Sequence, residues 1–135
     1  MFKYLRTAAS NWHPAEVVKF LSGEGDTVKK GSFITVDGNA IESEYSSSKP
    51  NFLALTGKES DKAAYVKCIP VYRNMMFEAT ICPDEDALTF CRGNACDVLL
   101  DDTGKGVYAS MLGGPIFEIV DDSNKENGTV IIRLM

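Results

Sequence analysis

The sequence predicts an all-β domain, a compact β-barrel or β-sandwich of short strands, and three observations carry that reading. Turn signals recur at spacings of roughly eight to twelve residues along most of the chain. The runs between them are short and rich in Val, Ile, Phe and Tyr, side chains that suit a pleated, half-buried surface. No segment sustains the period of an amphipathic helix.

Each element follows from its own residues. Ala15 to Leu21 is bounded by Pro14 and by the turn Ser22-Gly23-Glu24-Gly25-Asp26, and reads as a strand. Phe33 to Val36 is a second strand, and Ala40 to Glu42 its return. Between them, Asp37-Gly38-Asn39 is a tight turn, because these residues tolerate positive φ. Ser43 to Asn51 is polar and serine-rich with Pro50 near its end, so it reads as a surface loop. Phe52 to Leu55 is apolar and too short for a helix. After the turn Gly57 to Lys62, Ala64 to Tyr72 is rich in strand formers, and its Pro70 marks an edge or a strand end. Met76 to Ile81 follows the turn Arg73-Asn74 and is expected to pair with that strand as a hairpin. Pro83-Asp84-Glu85-Asp86 places acidic groups where a helix N-terminus favours them, so at most one short helix is expected, near Asp84 to Phe90. Asp97 to Leu100, Val107 to Ser110, Ile116 to Val120 and Thr129 to Leu134 complete the strands, separated by polar or glycine-rich turns.

With 135 residues and no internal repeat or linker, the chain fits one domain. Lys plus Arg number 14 against 19 Asp plus Glu, a net charge of −5. That balance argues against nucleic acid as a partner, since phosphates need a basic face. No apolar run approaches the roughly 20 residues of a membrane span, so no membrane partner is expected. Met1 to Arg6 carries no apolar core with a small-residue cleavage site, so no signal peptide is expected and free thiols are the default.

The residues that carry chemistry are sparse. Cys68, Cys82, Cys91 and Cys96 lack the paired spacing of a zinc knuckle, and the single histidine, His13, is remote from them. Cys68 reads as a small buried side chain, and Cys91 and Cys96 flank Gly93 closely enough to approach across a turn. Asp84-Glu85-Asp86, Asp101-Asp102 and Asp121-Asp122 do not follow the alternating ligand spacing of a calcium loop and read as solvated turns. No serine stands in a nucleophile elbow, and Asp101 to Gly106 lacks the residue order of a phosphate loop. The expectations are no enzyme, no metal and no cofactor.

Most aromatic residues fall inside strand-like runs and read as core. Phe2, Tyr4 and Trp12 differ, lying in the first 14 residues among Lys3, Arg6, Ser10 and Asn11, where no strand of useful length is evident. Residues 1–14 are therefore taken as an extended N-terminal arm, and residues 15–135 as a single β-rich domain. Phe2, Tyr4, Arg6 and Trp12 are the candidate contact residues, either to a neighbouring subunit or back onto their own domain.

One order of elements carries a resemblance. Gly25-Asp26-Thr27-Val28-Lys29-Lys30-Gly31 leads into Phe33-Ile34-Thr35-Val36, then Phe52-Leu53-Ala54-Leu55, then Ala64 to Val71. Later come Thr103-Gly104-Lys105-Gly106, Gly113-Gly114-Pro115 with Ile116 to Val120, and a final strand from Gly128 to Leu134. Over about residues 15–135 this layout resembles the capsid decoration, or cement, proteins of tailed bacteriophages. The Gly25–Gly31 stretch is also similar to the turn of lipoyl and biotinyl carrier domains. Those domains hold their modified lysine in a tight hairpin, whereas Asp37-Gly38-Asn39 has no lysine.

The decoration resemblance implies a structural virion protein, made in the host cytoplasm. It would lie on the outer capsid surface, bridging major capsid protein subunits and stabilising the shell. It implies a homo-oligomer, a trimer in first place and a dimer in second. The alternatives are another phage virion β-protein (of tail, head–tail connector or baseplate) and, behind it, a small ligand-binding β-barrel with a polar cavity.

Overall fold

A computed structural model describes residues 2–7, 16–37, 40–44, 51–73, 75–100, 107–112 and 115–135. Among them are the strands β1 (Phe2–Thr7), β2 (Val18–Ser22), β3 (Phe33–Asp37), β4 (Ala40–Glu44), β5 (Phe52–Ala54) and β6 (Ala64–Pro70). They continue with β7 (Met75–Thr80), β8 (Ala95–Leu100), β9 (Val107–Ser110), β10 (Phe117–Asp121) and β11 (Thr129–Leu134). The protein is all-β, in two parts. Six strands form a sheet in the order β1-β7-β11-β10-β8-β9, and five close into a barrel in the order β2-β4-β3-β5-β6. Strand neighbours run antiparallel except β2 and β4, which meet in parallel at Leu21 and Ala40. The sheet coils on itself, because Ile81, just past β7, bridges Ala109 of the far edge strand β9.

Period-two alternation assigns the faces. Met75, Phe77 and Ala79 of β7, Val130, Ile132 and Leu134 of β11, and Phe117 and Ile119 of β10 are all buried on one side of the sheet. The barrel buries residues on both its inner and outer surfaces. In β3, Ile34 points into the barrel with Val28, Ala54, Val66 and Cys68, while its neighbour Phe33 points out into the sheet's core. The same split recurs at Leu53 and Ala54 in β5, and at Ile69 and Cys68 in β6. The result is one core inside the barrel and a larger one between barrel and sheet. Phe33 lies at the centre of the larger core, with ring centroids 4.6 Å from Phe2, 5.2 Å from Phe117 and 5.3 Å from Phe77.

The Gly25–Gly31 stretch folds as its residues require. Both glycines have positive φ, +81° and +77°, a conformation that a Cβ disfavours. Val28 between them is buried in the barrel core and exchanges backbone hydrogen bonds of 3.0 and 2.7 Å with Lys58. Lys58 is itself buried. Its ammonium donates to the carbonyls of Gly23 and Asp26, the latter at 2.7 Å, and to Ser22 Oγ at 3.5 Å. A lysine in what the sequence presents as a solvated turn thus ties down the turn that covers one end of the barrel.

Several expectations are met. β5, β9 and β11 fall in the expected runs, β2, β3, β8 and β10 overlap theirs and extend one or two residues beyond them, and β6 ends at Pro70. The short helix is a 3-10 turn at Ala87–Thr89, capped by Asp86, whose carboxylate accepts from Leu88 N–H at 2.9 Å. A second 3-10 turn, Lys125–Asn127, exceeds the single short helix expected and lies in the polar segment read only as a turn. β4 runs on through Glu44, into the segment read as a loop, and residues 45–50 lie outside the described residues, as do Gly38 and Asn39 of the expected tight turn.

Two expectations are corrected. β6 and β7 do not form a hairpin, because β6 closes the barrel against β2 and β5 while β7 lies between β1 and β11 in the sheet. Residues 71–73 carry the chain from one part to the other, and Val71 N–H bonds back to Asn51. The N-terminal arm is a strand over residues 2–7, paired with β7. Its alternation is hidden in the sequence by a bulge between Tyr4 and Arg6 that shifts the register.

Replacing Phe33 by Ala removes the ring on which the two parts meet. The expected loss is about 3–5 kcal/mol of unfolding free energy in urea titrations, the range for a buried Phe→Ala change. Lys58→Met leaves carbonyls without their donor and is expected to cost about 1–3 kcal/mol in the same measurement.

Candidate functional site

The four residues singled out by the sequence have different fates. Phe2 is 2% exposed, and its ring stacks at 6.4 Å on Phe117 as well as touching Phe33. It is a core residue, packed back onto its own domain, one of the two placements its sequence left open. Tyr4, on the same face of β1, is half-buried with its ring 6.0 Å from Phe77. Arg6 lies opposite Met76 in the β1–β7 pairing. Trp12 and His13 lie outside the described residues.

β1 instead helps to build a groove. Phe2, Lys3 and Tyr4 form one wall, and Val17, Lys30, Gly31, Leu53, Ala54, Leu55 and Ile69 of the barrel form the rest, enclosing about 630 Å³. The backbone joins the walls at one point, where Phe2 N–H donates to the Gly31 carbonyl at 2.9 Å. The floor is apolar because Leu53 and Ile69 sit on the outer face of the barrel where it packs against the sheet. Val17 is 53% exposed at the rim, and Lys3 and Lys30 are exposed beside it. An open apolar trough with basic edges is suited to a polypeptide side chain or segment. Among the described residues the barrel interior is occupied by an apolar cluster and by the Phe20 and Phe52 rings at 4.6 Å.

Two of the three acidic clusters supply turn and cap ligands, and Asp101-Asp102 lies outside the described residues. Glu85 Oε1 accepts from Met111 N–H at 2.7 Å, and Asp86 caps the 3-10 turn. The Lys125 ammonium, 3.1 Å from Asp122, holds that carboxyl below its usual range. Ser123 N–H does the same for Asp121. Among the described residues, no group of three His, Cys, Asp or Glu side chains is placed to hold a metal ion.

All four cysteines are free thiols. Burial raises the Cys68 thiol to about 11, and burial with the charge of Asp97 raises Cys96 to about 12. Cys82 is raised for the same first reason, burial. Cys91 alone is half-buried, with its thiol 3.2 Å from the Leu88 carbonyl and 3.7 Å from Lys125 Nζ.

With this geometry in hand, comparison with known proteins adds no relative: no family model, no curated protein and no solved structure matches the chain.

Reaction at sulfur requires the thiolate. Iodoacetamide at pH 8 is therefore expected to label Cys91 first in the folded protein, with Cys68, Cys82 and Cys96 reacting only after denaturation. Peptide mass mapping reads the order, and early labelling of Cys68 or Cys96 would contradict the burial described.

Proposed function

We propose that the chain is a structural virion protein that docks on the outer surface of a tailed-phage capsid and bridges major capsid protein subunits. The observation that carries this reading is the open apolar groove where β1 meets the barrel, with Val17 exposed at its rim and lysines beside it. Solvent-facing apolar surface rimmed by polar groups is the mark of a protein-binding face. The scaffold supports the role. The core between barrel and sheet, with Phe33 and its aromatic neighbours at its centre, ties the two parts together, so a load applied at one face is passed to the other. The layout of strands and turns that resembles decoration proteins supplies the identity of the partner, the major capsid protein. Many copies, each touching more than one shell subunit, would hold by avidity where single contacts are weak. The apolar side chains that the described strands turn into the barrel disfavour the small-ligand alternative, which needs a polar cavity.

The experiment is cosedimentation of the purified protein with expanded, undecorated shells. Wild type is expected to bind at a copy number comparable with the major capsid protein, where a connector would bind only a few copies per particle. Val17→Asp places a charge in the groove at an exposed position, so it is expected to keep stability within about 0.5 kcal/mol and to lose shell binding. Shell binding unchanged in Val17→Asp would remove the groove from the contact, and absence of wild-type binding would remove the proposal.

A further inference from the structure

The outer face of β2 and β6 carries an arrangement that the isolated fold does not benefit from. Register places Lys19 directly opposite Lys67, and the next outward pair is Leu21 opposite Tyr65. All four side chains are exposed, Tyr65 at 69%. Like charges opposite one another in an antiparallel pair repel. The ion pairs among the described residues, Lys125 with Asp122 and Arg133 with Glu118, involve neither lysine. Beyond the lysines in the other direction comes Val17, 53% exposed just before β2 and lining the groove, while Ile69 on β6 is buried beneath it. The face therefore reads apolar, basic, apolar along two strands, and Lys3 and Lys30 extend its positive charge around the groove. This lies on a chain with a net charge of −5.

We infer that this face binds an acidic polypeptide surface: carboxylates set between apolar side chains, the carboxylates covering Lys19 and Lys67 and the apolar groups meeting Tyr65, Leu21 and Val17. The inference rests on reading the chain as a protein-docking module and adds the chemistry of the surface it meets. A polypeptide is favoured over nucleic acid by the alternation with apolar groups and by a net charge that repels a polyanion. Carboxylates from a partner would turn the mutual repulsion of the two lysines into attraction, so the pair is unfavourable alone and favourable when bound.

The test uses the full chain and a fluorescent peptide of alternating Glu and Leu, read by anisotropy. An alternating Lys and Leu peptide and a single-stranded DNA oligonucleotide serve as controls. Wild type is expected to prefer the Glu-Leu peptide to both controls and to weaken by about tenfold from low to high salt, as a few exposed charge contacts require. Lys67→Glu creates an opposite-charge pair with Lys19. It is expected to lose the peptide and yet melt no lower than wild type, a combination that misfolding cannot produce. Lys67→Arg is expected to keep binding, and Tyr65→Ser to weaken it. The inference is overturned if wild type ignores the Glu-Leu peptide, if the oligonucleotide binds better, or if Lys67→Glu binds as wild type does. It is also overturned if sedimentation shows the face buried between two copies of this chain. Shell cosedimentation separates this result from the capsid reading. Shells bound without peptide binding sink this inference alone, and peptide bound without shell binding sinks the capsid reading alone.

Discussion

Phe33 belongs to a barrel strand, yet its ring lies in the core of the sheet, against Phe2, Phe77 and Phe117. The next residue, Ile34, faces the barrel interior. One strand thus serves two cores by the ordinary alternation of a pleat. A five-stranded barrel of short strands encloses little volume, here filled chiefly by Val28, Ile34, Ala54, Val66 and Cys68. A buried Phe contributes about 1.5–3 kcal/mol, and its aromatic pairings about 0.5–1.5 kcal/mol each. The larger and more stabilising core is the shared one, so the barrel depends on the sheet to cover its outer face.

That dependence explains where the groove lies. The sheet ends at β1, and beside it the half-buried Leu55 and the exposed Val17 flank the buried Leu53 and Ile69 of the barrel. Phe2 both fills the shared core and lines the groove, and its N–H reaches Gly31, whose positive φ turns the carbonyl toward β1. An exposed apolar trough at this edge follows from packing a curved barrel against a sheet of finite width. Removing it would need another strand on the far side of β1 or a polar barrel face, and the second would cost the shared core its Leu53 and Ile69.

Most strands were legible because burial on one face or two leaves a pattern in a short run. Thr129 to Leu134 and Met76 to Ile81 show it plainly, and Asp86 announced the one capped turn. Three features were not legible. β1 was missed because its bulge breaks the alternation after Tyr4. The partner of β7 was missed because nearness in sequence suggests β6, whereas long-range packing hands β7 to β1 and β11. Lys58 was missed because a lysine after a glycine in a polar turn looks solvated, and only the fold brings the Gly23 and Asp26 carbonyls around it. For the candidate site, Phe2 and Tyr4 stand out in the sequence as unplaced aromatics, and both line the groove once β1 is paired with β7. Val17, Leu55, Lys19 and Lys67 carried no signal, since their meaning comes from which strand lies beside which.

Charge is divided on this molecule according to use. Carboxylates of Glu85, Asp86, Asp121 and Asp122 are spent on backbone N–H groups and on Lys125, so the acidic turns are partly neutralised by their own structure. Lys19 and Lys67 face one another on an open strand pair with no such partner among the described carboxylates. Exposed pairs contribute little to stability, so the folded chain gains almost nothing from their placement. The same arrangement acts strongly on an approaching acidic surface. Charge on one face of an oppositely charged body orients the encounter, and the apolar residues on either side then hold what the field has aligned. A lysine pair of this kind is a poor choice for a face that meets only water, and a suitable one for a face that spends its working life covered.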